Sequence, residues 1–377
     1  MMDGAAQWTH ARNILCVRLD NMGDVLMSTP AMRAIKESAP GRRLTLLASP
    51  ACTPLVRHIP EIDDVMPFDA PWVKSGRPPS AGGLEACIAA LAARAFDAAV
   101  VFTVYSQSAL PAALLLFQAG IPRRLAYCRE NPYHLLTQWA QEEEPARRVR
   151  HEVRRQLDLV ALAGCTTRDE RLSFRIDEAD TRGADEALRA AGVSCGGGYF
   201  IVHPGASAPS RRYPADQFGR AAALIAAATR LQPVIAGGPG EAAQVQAVRE
   251  HAGPGAVTLP AGLRLGPFAA VVRKAVLLVA NNSGPAHVAA AVGTPVVDLY
   301  ALTNPQHTPW QVPSRVLYHD VPCRYCYKSV CPQQHHDCLR RVAPEAVARA
   351  AVELLDELRG AAPARRKVAA QGDVCHV

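Results

Sequence analysis

Residues 199–241 read YFIVHPGASAPSRRYPADQFGRAAALIAAATRLQPVIAGGPGE. Tyr199–His203 is a short, apolar, β-branched run of strand character. A turn of small and hydroxyl-bearing residues follows, and then Ala215–Thr229 has the composition and spacing of a helix. Pro233–Ala236 reads as a second strand, a glycine-rich turn comes after it, and Glu241–His251 reads as a second helix. Parallel neighbours cannot be joined by a tight hairpin, so strands regularly separated by helices imply a parallel sheet covered on both faces. Downstream the pattern continues with strand Val276–Ala280, helix Pro285–Val292 and strand Pro295–Leu299. Upstream it occurs independently, with strand Ile14–Leu19, helix Asp24–Ala39, strand Leu44–Ala48, helical segment Gly83–Ala95 and strand Ala98–Val104. The expected fold class is therefore α/β, with two doubly wound domains.

Length and composition agree. At 377 residues the chain suits two domains of similar size. With 49% hydrophobic and 20% charged residues it is neither disordered nor fibrous. No run of about eighteen apolar residues marks a spanning helix, and Met1–His10 lacks the basic-then-apolar order of a signal peptide. Eleven cysteines, most of them scattered singly, suit a reducing compartment, so a cytoplasmic location is expected. The formal charge of +7 suits an anionic partner without choosing one. The expected divisions are 1–168, 169–342 with a cysteine-rich segment 323–338, a closing helix within 343–360, and a frayed tail 361–377. The proline- and glycine-rich loop Asp69–Gly83 has the character of a functional or disordered segment.

Ligands of open parallel sheets bind beyond the carboxyl ends of the strands, so the strand-to-helix turns are where chemistry is sought. The first is Arg18-Leu19-Asp20-Asn21-Met22-Gly23-Asp24. Gly23 would permit a tight turn, with Arg18 and Asn21 supporting it or touching an acceptor. Asp24 falls at a helix start, where a carboxylate serves as a cap or as a general base facing a cleft. The second turn, His203 to Pro214, offers Ser207 and Arg211 to a phosphate, small residues allowing close backbone approach. It lacks the lysine and spacing of a P-loop. In the third, Gly237-Gly238-Pro239-Gly240-Glu241, the Glu241 carboxylate could accept ribose hydroxyls or simply begin a helix. The fourth, Asn281-Asn282-Ser283-Gly284-Pro285-Ala286-His287, opens a helix whose first amides suit an anion. His287 either touches that ligand or packs beneath it. The three turns of the second half suit a nucleoside diphosphate, and no D-x-D carboxylate pair occurs in the chain to hold a divalent ion.

These residues resemble the ADP-heptose:lipopolysaccharide heptosyltransferases of glycosyltransferase family 9. The pieces are Val17-Arg18-Leu19 with Gly23-Asp24-Val25-Leu26 and Thr29-Pro30-Ala31, then His203-Pro204-Gly205-Ala206 with Arg211-Arg212-Tyr213-Pro214. Gly237-Gly238-Pro239 with Glu241, Asn281 to His287 and Gly293-Thr294-Pro295 complete them, in the family's order from about Asn13 to Val347. The resemblance implies a GT-B fold, two Rossmann-like domains facing across a cleft, with the last helix crossing back to the first. It implies an inverting transferase that needs no cofactor for catalysis, taking heptose from ADP-heptose to a lipid-linked or glycan acceptor bound on the first domain. The family's base falls on Asp24 and its phosphate-binding lysine on Arg211. Its nucleotide-side motif falls on Asn282, often acidic in the family, and on Ser283, Gly284 and His287. A transferase of small natural products and a non-catalytic nucleotide-sugar binder are the rival readings.

Two features stand outside that set. Cys323-x2-Cys326-x4-Cys331-x6-Cys338 has the character of a structural zinc site, of reduced cysteines packing a loop, or of a labile disulfide. Arg147-Arg148-Val149-Arg150-His151 with Arg154-Arg155 forms a basic run on an expected helix. Such a run is a solvated face, or a peripheral contact with anionic lipid at the inner face of the cytoplasmic membrane. No nucleic-acid recognition motif accompanies it.

Overall fold

The structure, a computed structural model, describes residues 8–73, 81–194 and 196–360. Part of the loop Asp69–Gly83, the tail 361–377, Cys195 and Cys375 lie outside the described residues. The chain divides into two compact units, Met1–Arg175 and Ile176–Val377.

The first unit holds a six-stranded parallel sheet in the order β3-β2-β1-β4-β5-β6. Its strands are β1 (Asn13–Arg18), β2 (Arg43–Ala48), β3 (Asp64–Pro67), β4 (Ala98–Val101), β5 (Arg124–Cys128) and β6 (Gln138–Gln141). The second repeats the architecture in the order β12-β11-β10-β7-β8-β9. There the strands are β7 (Tyr199–His203), β8 (Gln232–Ile235), β9 (Val257–Thr258), β10 (Leu278–Asn281), β11 (Val296–Leu299) and β12 (Ser314–Leu317). The central strands are largely apolar because helices cover both faces, as parallel sheets require. Ile14, Leu15, Cys16, Ile201, Val234 and Leu278 are all closed to solvent, and each such Val, Leu or Ile contributes roughly 1.5–3 kcal/mol.

Helix Met22–Glu37 leads away from β1 and packs on helix Glu152–Ala161. Pro30 lies inside it and has no N–H to give the Leu26 carbonyl. The Thr29 hydroxyl takes that place, donating to Leu26 O at 2.7 Å, while its oxygen accepts the Ser173 amide at 2.9 Å. The segment 169–175 is fastened to this unit throughout. Arg33 donates to the Asp169 and Arg171 carbonyls, and Phe174 stacks on His58. In the second unit, helix Pro344–Gly360 packs on helix Ala215–Thr229, burying Val347, Ala351 and Leu354.

The basic run departs from expectation. Residues 147–151 precede the helix, which starts at Glu152. Arg155 is fully buried between Glu142 and Glu144, and Arg150 pairs with Glu144 and Asp158. Only Arg147, Arg148 and Arg154 face solvent, each with a carboxylate within 4 Å. Two of the five arginines of the run, Arg150 and Arg155, are thus directed inward. Among the described residues no helix is long and apolar enough to cross a membrane.

Candidate functional site

In the first unit the turn after β1 is organised by Arg18. Its guanidinium is wholly buried and meets three carboxylates: Asp20 at 3.0 Å, Asp24 at 3.4 Å and Glu152 at 2.8 Å. Burial works against its charge, but Glu152, Asp20 and Asp24 overcome this and hold it protonated above the ordinary arginine value. Asp24 is the third residue of helix Met22–Glu37, and its Oδ2 accepts the Asn21 backbone N–H at 3.1 Å. The cap and the candidate base are therefore one group, 8% exposed. Gly23 differs from expectation. It is a buried residue of the helix's first turn, not a left-handed turn residue.

Sequence reasoning passed over Asp20, Gln107 and Glu152. Gln107 Nε2 donates to Asp20 Oδ1 at 2.5 Å. Both line an open cavity of about 330 Å³ that also has Trp72, Ser106 and Ser108 in its wall. Burial raises the Asp20 carboxyl above the ordinary aspartate value, against the pull of Arg18, and the neighbouring Asp24 charge adds to the rise. Asp20 stood in the quoted turn, where an ion pair with Arg18 two residues back was the available signal. Glu152 lies more than a hundred positions away and left no local trace.

In the second unit three candidate turns follow β10, β7 and β8, which are neighbours in the sheet. Asn281, at the end of β10, joins two of them. Its Oδ1 accepts the Tyr213 N–H at 2.9 Å and its Nδ2 donates to the Pro204 carbonyl at 2.6 Å. Ser283 is the N-cap residue of helix Gly284–Val292, and its hydroxyl lies 3.2 Å from the carbonyl oxygens of both Gly205 and Asn281. Pro285 sits in the first turn, where its missing N–H removes no helical bond. The Ala286 amide is used by the Ser283 carbonyl at 3.0 Å, which leaves the Gly284 amide without an intrahelical acceptor at the positive end of the helix.

Arg211 ends the short 3₁₀ turn Pro209–Arg211 and is half-buried. Among the described residues no carboxylate lies within 4 Å of it and no hydrogen bond engages its guanidinium, whereas Arg212 donates to the Ala206 carbonyl. Ser207 is exposed in the same turn. The turn is fastened from behind by Ser210, whose N–H and hydroxyl donate to the carbonyls of Ser329 and Lys328 at 3.0 and 2.7 Å.

Glu241 turns back on its own loop, Oε2 accepting the Gly238 N–H at 2.6 Å and lying 3.9 Å from His203 Nε2. A Cβ on Gly205 would meet that carboxylate at 2.0 Å, which is why residue 205 carries no side chain. Burial lowers the His203 imidazole against the pull of Glu241. His287 is buried one turn into its helix, its ring edge-on to His307 at 6.5 Å. Asn282 is also buried, beside Asp298.

Zinc, one of the three readings of Cys323, Cys326, Cys331 and Cys338, finds no support. All four are free, and among the described residues no three His, Cys, Asp or Glu side chains converge to hold a metal. Cys323 and Cys338 instead pack against Tyr300, Leu302 and Val321, with Cys323 Sγ 3.8 Å from His335 Nε2.

Comparison with known proteins completes the picture. The sequence model described as glycosyltransferase family 9 (heptosyltransferase) matches residues 85–336. Lipooligosaccharide heptosyltransferase 2 of Campylobacter jejuni subsp. jejuni serotype O:2 is 36% identical over 81 residues. That alignment takes in 21% of this chain and only about a quarter (25%) of the relative's length. A family 9 glycosyltransferase from Veillonella parvula superposes with a TM-score of 0.76 at 24% identity, covering 94% of this chain and 99% of that one. The E. coli ADP-heptose lps heptosyltransferase II superposes with a TM-score of 0.70 at 21% identity, over 92% and 99% of the two chains. At these identities the structural likeness establishes the fold, two Rossmann-like units of GT-B type.

Proposed function

Because the chain belongs to glycosyltransferase family 9, we propose that it is an inverting heptosyltransferase that works without a catalytic metal. The donor is ADP-heptose, and the acceptor is a hydroxyl of a lipopolysaccharide core or related glycan. The observation that carries the reading is Arg211, a half-buried cation that the described residues leave without a counter-ion. It stands on a loop tied by Asn281 to the open start of helix Gly284–Val292. A diphosphate leaving group supplies the missing negative charge, and fixed donors at such a group each contribute about 3–4 kcal/mol to transition-state stabilisation. The relatives' names favour heptose, and that of the E. coli protein favours ADP-heptose over other nucleotide sugars.

In this mechanism Asp24 accepts the proton of the acceptor hydroxyl as that oxygen attacks the anomeric carbon. The C–O bond to the diphosphate breaks, and the leaving group departs toward Arg211 and the amides near Ser283 and Gly284. Arg18, 3.4 Å from its carboxylate, holds the base in place. General-base assistance of this kind contributes roughly 10²–10⁴-fold. A second assignment has its own observation, since Asp20 and not Asp24 lines the first-unit cavity. Contact of the basic run with anionic lipid is retained only through Arg147, Arg148 and Arg154.

The test is release of nucleoside diphosphate from ADP-, UDP-, GDP- and dTDP-sugars in the presence of glycan acceptors. ADP-heptose is expected to be preferred. Asp24→Asn should lower transfer at least about 100-fold while leaving ADP affinity within about twofold. A variant retaining a tenth of the wild-type rate excludes Asp24 as base, and loss of turnover in Asp20→Asn instead moves that role to Asp20.

A further inference from the structure

One buried carboxyl is left unexplained by that mechanism. Asp298 lies in the middle of β11, opposite Ala280 of β10 and Val316 of β12, and is completely closed to solvent. Its Oδ2 accepts a hydrogen bond from Asn282 Nδ2 at 3.1 Å, while its Oδ1 is buried with no hydrogen-bond partner. Among the described residues no lysine, arginine or histidine lies within 4 Å of it. An isolated carboxyl inside a sheet is costly, and burial pushes this one up to about 7, the Asn282 bond acting in the opposite direction. Valine or alanine would fill the same place at no such cost, and what the carboxyl adds is its hydrogen bond with Asn282.

That neighbour is fully constrained on one side. Asn282 Nδ2 has two hydrogens, and both find acceptors, Asp298 Oδ2 and the His307 carbonyl at 2.7 Å. Turning the amide over would set its oxygen against the His307 carbonyl, which can only accept, and against the ionised Asp298 oxygen. Asn282 Oδ1 therefore points the other way, and no donor meets it among the described residues. Asn282 directly precedes Ser283, the N-cap residue of helix Gly284–Val292.

We propose that Asp298 is a positioning residue that fixes the Asn282 amide with its oxygen outward, making residue 282 an acceptor for a hydroxyl of the bound nucleotide sugar. The inference rests on the donor site assigned above and deepens it. The amide orientation decides what can be bound. An outward NH₂ would pair with phosphate, whereas an outward oxygen repels phosphate and requires a hydrogen-bond donor, and the donors that stand beside a diphosphate are the ribose and sugar hydroxyls. Asp298 never touches the ligand and acts only through the amide.

The experiment measures affinities of the full-length protein for ADP, 2′-deoxy-ADP and ADP-heptose by titration calorimetry, in wild type, Asp298→Leu and Asp298→Asn. Asp298→Leu removes one of the two acceptors that hold the amide. It should weaken the hydroxyl-bearing ligand about tenfold or more and raise the KM for donor more than it lowers kcat. Asp298→Asn can still present an oxygen to Asn282 Nδ2, and should bind within about threefold of wild type. A loss seen with ADP but not with 2′-deoxy-ADP assigns the ribose as the hydroxyl read. A loss confined to ADP-heptose assigns the sugar. Equal affinity of wild type and Asp298→Leu for all three ligands overturns the inference while leaving the donor site standing. A uniform loss across all three in both variants, with lowered melting temperature, also overturns it, because that is the mark of a merely structural residue. Wild type binding none of the three removes both the inference and the reading beneath it.

Discussion

Arg18 and Arg211 belong to turns of the same kind, each following a strand of a parallel sheet, yet their electrical surroundings are opposite. Arg18 is sealed from water and shared by Asp20, Asp24 and Glu152. Arg211 is half-open and has no carboxylate within reach among the described residues, and Asp298, buried in β11 of the same sheet, has among them no cation within 4 Å. The first cluster is complete in the free protein. It holds a candidate base in fixed geometry and needs nothing further. The second leaves the Arg211 charge unmatched, which stabilises the fold less and is the arrangement expected where a ligand finishes the electrostatics.

The sharpest way to break this contrast is to remove each cation in turn. Arg18→Met leaves three crowded carboxylates without compensation and should cost about 3–5 kcal/mol of folding stability, read from urea unfolding. Arg211→Met should change stability by no more than about 0.5 kcal/mol and yet abolish measurable ADP binding. If the two variants are equally destabilised, Arg211 has a structural partner after all and the distinction is lost.

Asp298 offers a test through pH. Its carboxyl titrates at about 7 in the folded protein against an ordinary value near 4 in the unfolded chain. Between those values the unfolded state has lost the proton and the folded state keeps it, so stability falls as pH rises from about 4 to about 7 and is level above. At roughly 1.4 kcal/mol per pH unit this amounts to about 4 kcal/mol. Asp298→Asn should remove that slope, seen as a melting-temperature gain over wild type that grows with pH and saturates above 7. A pH-independent difference between the two proteins would contradict a buried, cation-free carboxyl.

The smallest effect concerns Gly205. A methyl group there displaces the flexible end of Glu241 from the Gly238 amide. Gly205→Ala should therefore cost about 1 kcal/mol and weaken ADP binding only moderately. A larger penalty would mean that the backbone itself cannot yield.

Much of this was legible in the sequence, and unevenly so. Tyr199–His203 and Ala215–Thr229 were read to the residue, because a buried parallel strand and an alanine-rich amphipathic helix each leave a local pattern. β6, Gln138–Gln141, escaped because an edge strand of four residues with polar ends has no such pattern. β5 escaped because it begins with Arg124, a charge that is satisfied inside by the carbonyls of Leu135 and His134. Helix Leu265–Lys274 carries Gly266-Pro267 in its first turn and was therefore not read as a helix. In the candidate site, groups joined by one turn were found, as with Asp24 and Arg211. Those joined by tertiary contact were not. Asp298 reaches Asn282 across neighbouring strands and Glu152 reaches Arg18 from a distant helix, so neither pairing exists until the chain is folded.

The two hydrogen bonds from Ser210 to the 328–329 backbone have a further consequence for motion. They put the Arg211 turn and the cysteine-bearing segment into one cooperative unit, so neither can open alone. The exchange of the Ser210 amide hydrogen with solvent thus reports how often the cysteine-bearing segment lifts away, an event otherwise hidden in a loop without regular secondary structure.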